Sequence, residues 1–129
     1  MVSEGMDETK TAIDTEVDFS PAEIDYINSQ RLVRIATASD SGGVDVAPIG
    51  LHFNGKTFLV VGIDLPHTLK YKNIKQNGRV AMVVDDLETI DPWRPRGVKV
   101  HGHGAIRTDS KGREIIVVTP TRKWSWGLE

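Results

Sequence analysis

Pro66-His67-Thr68-Leu69-Lys70-Tyr71-Lys72-Asn73-Ile74-Lys75-Gln76-Asn77-Gly78-Arg79-Val80 reads as a short basic helix set between two apolar strands. Thr68 suits the N-cap and Gly78 the C-cap. Lys70 and Lys72 fall in the first turn, where the helix dipole ordinarily favours acids. Free backbone amides, a positive dipole end and two ammonium groups at one place suit a phosphate. The competing reading is a solvated basic helix face.

Upstream, Ser20-Pro21-Ala22-Glu23 carries a Ser N-cap, a Pro at the first helical position and a Glu placed to close a capping box. With Phe19 and Ile24 as a hydrophobic staple, a helix is predicted over residues 21–29, burying Ile24 and Ile27. Residues 32–38 and 44–53 then read as strands around the turn Asp40-Ser41-Gly42-Gly43. Asn54-Gly55 predicts a type I′ hairpin into a third strand over residues 56–63, making a three-stranded meander. Downstream, residues 80–84 form a short apolar strand and residues 85–96 a proline-rich irregular loop. Residues 98–107 alternate, with Val98, Val100, Gly102, Gly104 and Ile106 on one face. After Asp109-Ser110-Lys111-Gly112, residues 114–118 give the sixth strand, followed by a tail containing Trp124 and Trp126. The fold class expected is mainly β: a small barrel of six antiparallel strands, with one helix before the first strand and another between strands 3 and 4.

The chain has 129 residues and no cysteine. That length predicts one domain, residues 19–129, too small for separate catalytic and cofactor modules. Without cysteine there are no disulfides, thiolate nucleophiles or thiolate-bound metals, which agrees with a cytoplasmic location. Residues 1–18 hold six acids against one base and are predicted to be a flexible tail, while the rest carries 15 basic and 12 acidic residues. No run approaches the roughly 20 apolar residues of a membrane helix, and residues 1–18 lack the apolar stretch of an export signal.

Candidate sites are few. His52, His101 and His103 could together bind a metal, but no oriented carboxylate accompanies them, and solvent-facing or interface histidines are the simpler reading. No serine lies in a nucleophile elbow. Arg94, Arg96, Lys99, His101, His103 and Arg107, with Trp93, could make a basic patch for single-stranded nucleic acid. The acidic leader argues against that partner. Pro48-Ile49-Gly50 interrupts the second strand, either as a bulge at a barrel rim or as bare backbone for a flat ligand. Gly62 repeats that feature on the third strand. A planar ligand there, with its phosphate at Thr68 and Lys70, would span one groove. Trp124 and Trp126, alternate in sequence, suit core or dimer packing or stacking on an aromatic cofactor.

The order helix, Leu32-Val33-Arg34-Ile35-Ala36-Thr37, Val46-Ala47-Pro48-Ile49-Gly50-Leu51, then Leu69 through Val80, resembles the pyridoxamine 5′-phosphate oxidase-like split β-barrel superfamily of flavin-binding proteins. Pro92-Trp93-Arg94-Pro95-Arg96-Gly97-Val98 and the tail Thr119-Pro120-Thr121-Arg122…Ser125-Trp126-Gly127 are similar to the branch that uses the deazaflavin coenzyme F-420. The resemblance implies a homodimer with the cofactor at the subunit interface, and an oxidoreductase that transfers hydride between coenzyme F-420, or alternatively FMN, and a small conjugated organic substrate. An FMN-binding oxidase-like protein or a non-catalytic flavin-binding module is the alternative it leaves.

Carried over by position, the resemblance implies that Val46, Ala47, Pro48, Ile49, Gly50 and Leu51 line the ring and Val61 and Gly62 the ribityl chain. It implies Thr68 and Lys70 at the phosphate, with Trp126 as a ring cover. No catalytic side chain, metal, nucleic acid or membrane is implied. Where the family often has arginine this chain has Leu69, a departure that would weaken the phosphate grip or move it to Lys72 or Arg96. At Gly97 the oxidases have a glutamine that contacts the flavin, a departure that speaks against FMN and against pyridoxamine phosphate oxidation.

Overall fold

A computed structural model describes residues 16–128. The predicted flexible leader therefore lies, for residues 1–15, outside the described residues. The chain runs α1 (Pro21–Asn28), β1 (Leu32–Ala38), β2 (Val44–Gly50), β3 (Phe58–Val60), a 3-10 turn (Leu65–His67), α2 (Leu69–Asn77), β4 (Arg79–Thr89), β5 (Arg94–Thr108) and β6 (Glu114–Trp126). The six strands form one antiparallel, curled sheet in the order β2-β1-β4-β5-β6-β3. Its two ends meet at a single bridge, Phe53↔Phe58, beside a hydrogen bond from Leu59 N to His52 O of 2.9 Å.

The fold class, the positions of both helices and the pairing of β1 with β2 are as the sequence predicts; the neighbour of β3 is not. No meander forms, because β3 pairs with β6 through Phe58↔Val118 and Val60↔Ile116, so β2 and β3 occupy opposite ends of the strand order. Nor is the turn a two-residue type I′ hairpin. The Asn54 Oδ1 accepts from the backbone N–H of Lys56 and of Thr57, at 2.9 and 2.7 Å, which winds residues 54–57 into a four-residue loop. Strand β3 is accordingly cut to three residues, and Val61 and Gly62 lie beyond its end.

Three further expectations fail for one reason: proline was read as a strand breaker. Most of residues 85–96 is paired, with Leu87↔Pro95 beside a register shift at Leu87/Thr89. Strand β6 runs unbroken through Pro120, which lies at the irregularity opposite His101/Gly102. Pro48 pairs with Arg34 in regular register on edge strand β2, without the bulge. A missing N–H costs a sheet little at a bulge or on an edge.

The inner face of the sheet and the two helices enclose the core. Ile27, Val60, Ile116 and Val118 are fully buried, and Phe58, Ile35 and Leu65 nearly so. Each such side chain contributes about 1.5 to 3 kcal/mol of transfer free energy. On α1 the capping box is complete: the Ser20 Oγ accepts from Glu23 N at 3.1 Å, and the Glu23 Oε1 accepts from Ser20 N at 2.8 Å. That same carboxylate receives Lys123 Nζ at 2.6 Å, which fastens α1 to β6. Ile27 is buried as predicted, while Ile24 is half-buried against the core.

Candidate functional site

Helix α2 lies across the end of the curled sheet. Thr68 is its N-cap, with φ −86° and ψ 155°, and its hydroxyl accepts from Tyr71 N while donating to Leu65 O at 2.7 Å. The Thr68 hydroxyl is thus spent on shaping the turn. The first intrahelical bond runs from Lys72 N to Thr68 O, so the N–H groups of Leu69 and Lys70 have no partner within the helix. No acid stands in this first turn, and among the described residues neither Lys70 nor Lys72 is paired with a carboxylate. At the other end Gly78, at φ +74°, caps the helix in the left-handed region. Its Cα faces the His103 ring, which leaves no room for an added Cβ.

Beyond β3, the chain through Val61 and Gly62 leads to this turn. Val61 is exposed, and a Cβ built on Gly62 would meet nothing within 4 Å. The Gly50 position on β2 is similarly open, with His52 Nε2 at 3.8 Å. Bare backbone, unpaired first-turn amides and lysines form a donor set that fits a phosphorylated flat cofactor. Along β2 the residues alternate. Val46, Pro48 and Gly50 stand on the outer face, whereas Ala47, Ile49 and Leu51 are turned inward and half-buried, Ile49 and Leu51 against the core.

Register carries that outer face across the sheet. Val46 faces Ala36, Ala81 and His101 in successive strands, and Gly50 is aligned with Leu32. Small side chains leave a hollow of about 400 Å³ over Ala36, Ala38, Ala81 and Gly102. Val44 lines it, and the outer face of β1 and β2 around it is apolar and uncovered: Val44 is 85% exposed, Val46 66% and Leu32 52%. At the far side Trp124 is packed by Lys99 Nζ at 4.7 Å and Arg122 Cζ at 5.0 Å, with His101 edge-on at 4.8 Å. Trp126 lies over Gly97 so closely that a Cβ there would stand 2.5 Å from its Cζ2.

Two predicted residues lie apart from the rest within one chain. Arg96 is eight residues along β5 from Gly104, where Ile74 of α2 packs, which is about 26 Å of strand. Its guanidinium is moreover held by Asp86, Nε to Oδ1 at 2.8 Å and Nη2 to Oδ2 at 3.0 Å. The Arg96 guanidinium keeps the Asp86 carboxyl below its usual range, ahead of the opposing effect of burial. Burial, and then the Asp86 acceptor, raises the Tyr26 phenol well above its ordinary value. Trp126 shares the outer face with Gly50 but is separated from it by three strands, about 19 Å. The histidines do not meet: among the described residues no group of three metal-binding side chains forms. No helix among them is long and apolar enough to cross a membrane.

Sequence reasoning missed a cavity of about 590 Å³ beside Gly62, walled on its far side by Arg113, Glu114 and Ile115. Glu114 and Ile115 open β6 and Arg113 precedes them, and the pairing of β3 with β6 brings all three there. It also missed the buried hydrogen bond from Asn73 Nδ2 to Thr37 Oγ1, 3.0 Å, that seats α2 on β1. An asparagine at the centre of a helix was the available signal, since it is disfavoured there unless its amide has a partner.

The family profile described as pyridoxamine 5′-phosphate oxidase matches residues 20–125. A 5a,11a-dehydrotetracycline/5a,11a-dehydrooxytetracycline reductase from Streptomyces rimosus is 32% identical over 120 residues, which cover 86% of this chain and 84% of the relative. Among solved structures, a conserved hypothetical protein from Mycobacterium tuberculosis has a TM-score of 0.71 at 21% identity, covering 94% of this chain and 91% of that one. An F420 reductase has a TM-score of 0.58 at 24% identity over 73% and 89% of the two chains. At such identities the structural likeness speaks for the split-barrel fold alone. The profile and the reductase relative carry the rest: the chain belongs to the pyridoxamine 5′-phosphate oxidase family of flavin-type oxidoreductases.

Proposed function

We propose that this protein is a reductase that binds coenzyme F-420, with FMN as the alternative, and passes hydride between its ring and a small conjugated organic substrate. The observation that carries the reading is the acid-free first turn of α2, with its unpaired amides and lysines beside the open backbone of Gly62. The relative's activity on a conjugated polycyclic molecule supports the substrate class. The bound ring supplies the hydride chemistry. The chain's own residues bind and orient it. Lys70 and the amides of Leu69 and Lys70 hold the phosphate, with Lys72 on the exposed side of the same turn. Val61 and Gly62 leave room for the ribityl chain. Val46, Pro48 and Gly50 give the ring an apolar bed that keeps water out, while Ala47, Ile49 and Leu51 support that strand from within.

The deazaflavin is favoured because Gly97 lies beneath Trp126, so no side chain can reach a flavin from the position where the oxidases carry glutamine. The site is shared between two copies. The uncovered apolar rim at Val44, Val46 and Leu32 is the kind of surface a partner covers, and a second copy brings a tryptophan to β2 that its own chain cannot. The decisive measurement is the absorbance of the purified protein, followed by titration with coenzyme F-420 and with FMN under tryptophan fluorescence. Quenching by F-420 at lower concentration than by FMN is expected. Binding of neither overturns the reading, and binding without turnover of any conjugated acceptor makes the protein a carrier.

A further inference from the structure

The cavity of about 590 Å³ lies where the chain leaves β3. Val61, Gly62, Ile63 and Pro66 form one wall, and Arg113, Glu114 and Ile115 the other. Pro66 belongs to the 3-10 turn that delivers Thr68 to α2, so the cavity borders the approach to that helix. The walls are tied together: Tyr71, in that first turn, donates its hydroxyl to the Glu114 Oε1 at 2.8 Å. The residue next to Arg113 is therefore in contact with the helix start that bears Lys70.

Among the described residues Arg113 is the one cation lining the cavity, and its side chain is 70% exposed. Its Nε donates to the Asp109 Oδ2 at 3.0 Å, and the Asp109 carboxylate is itself fixed by the backbone N–H groups of Lys111 and Arg113, each at 2.9 Å. One edge of the guanidinium is thus anchored while its two terminal nitrogens keep most of the fork's five donors. Glu114, the acid on the same wall, is engaged by Tyr71. Leu69 removes a guanidinium from the helix side, and Arg96 is bound to Asp86 at the other end of β5.

We propose that Arg113 is a second anchor for the cofactor's anionic tail, gripping the phosphate across the cavity from the β5–β6 turn while Lys70 and the α2 amides hold it from above. This rests on the reading that the site takes a phosphorylated flavin-type cofactor. A guanidinium offers the phosphate a positive charge with N–H donors free to face its oxygens, and it is chiefly the charge that gives such a bond its strength.

The test is fluorescence titration of the full-length protein and its R113Q and R113K variants with FMN and with coenzyme F-420, alongside thermal unfolding of each. R113Q should weaken binding about tenfold or more, the scale of one charged hydrogen bond, with an unfolding midpoint close to that of the parent. R113K should recover a good part of the loss. Unchanged affinity in R113Q overturns the Arg113 anchor and leaves the cofactor reading standing. Equal losses in R113Q and R113K overturn it too, because charge is then not what Arg113 contributes. A parent protein that binds neither cofactor overturns both.

Discussion

The Asn73 amide of α2 donates to the Thr37 hydroxyl of β1 across 3.0 Å, and both residues are buried. Either partner left alone would keep an unsatisfied polar group in the core. N73A is expected to cost about 1 to 3 kcal/mol in urea unfolding. The pair T37V and N73A together should cost clearly less than the sum of the single changes. Strict additivity would show that the two side chains do not act on each other.

Asp86 accepts from the Tyr26 hydroxyl, the Gln30 amide and both sides of the Arg96 fork. Because Arg96 lowers the Asp86 carboxyl, the folded state binds fewer protons there than the unfolded chain. Its stabilising contribution is complete above the ordinary carboxylate range and fades as pH falls through the lowered value. For the raised Tyr26 phenol the direction reverses: the contribution is complete below pH about 10 and fades as pH climbs beyond it. D86N should therefore flatten the acid limb of a stability-against-pH curve. An acid limb of undiminished slope would remove Asp86 from this role.

Lys70 faces no carboxylate among the described residues, so its removal should cost the fold little and the ligand much. K70A is expected to weaken cofactor binding by about 1 to 3 kcal/mol with the melting temperature nearly unchanged. Retained affinity would move the phosphate to another part of the surface.

Gly97 is too close to Trp126 Cζ2 and to the Val84 carbonyl, at 2.5 and 2.8 Å from a built Cβ, to carry a side chain. G97A should displace the indole, costing about 1 to 3 kcal/mol and shifting tryptophan emission to longer wavelength. An emission spectrum identical to the parent's would mean that the backbone gives way instead.

Val46 stands on the uncovered face at 66% exposure. V46K should leave the monomer folded, as circular dichroism would report, and reduce the sedimentation coefficient from that of a dimer to that of a single chain. If the parent already sediments as one chain, the shared site is wrong.

What could be read along the chain was what short-range chemistry decides. The capping box at Ser20 and Glu23, the bounds of β1 and both caps of α2 depend on neighbours within four residues, and all three were legible. The partner of β3 was not, because its pairing with β6 joins residues nearly sixty positions apart and leaves no local trace. Pro95 and Pro120 misled for a related reason: whether a proline breaks a strand depends on the pairing opposite it. At the candidate site, the N-cap role of Thr68 and the acid-free first turn around Lys70 follow from residue type and order. The bond from Arg96 to Asp86 and the closeness of Arg113 to Gly62 do not, because each depends on a strand pairing that leaves no local trace.

The irregularity in β6, where His101 faces Arg122 and Gly102 faces Pro120, leaves Thr121 without a partner of its own. It works as a phase shifter in the alternation of the strand. Before it, Ile116, Val118 and Pro120 face the core; after it, Trp124 and Trp126 face outward. Deleting the single residue Thr121 would remove the irregularity yet leave Trp124 three steps from Pro120, so both indoles would keep the outer face; it is the strand with Thr121 kept and paired evenly that would swing them toward the interior and present Lys123 and Ser125 outward.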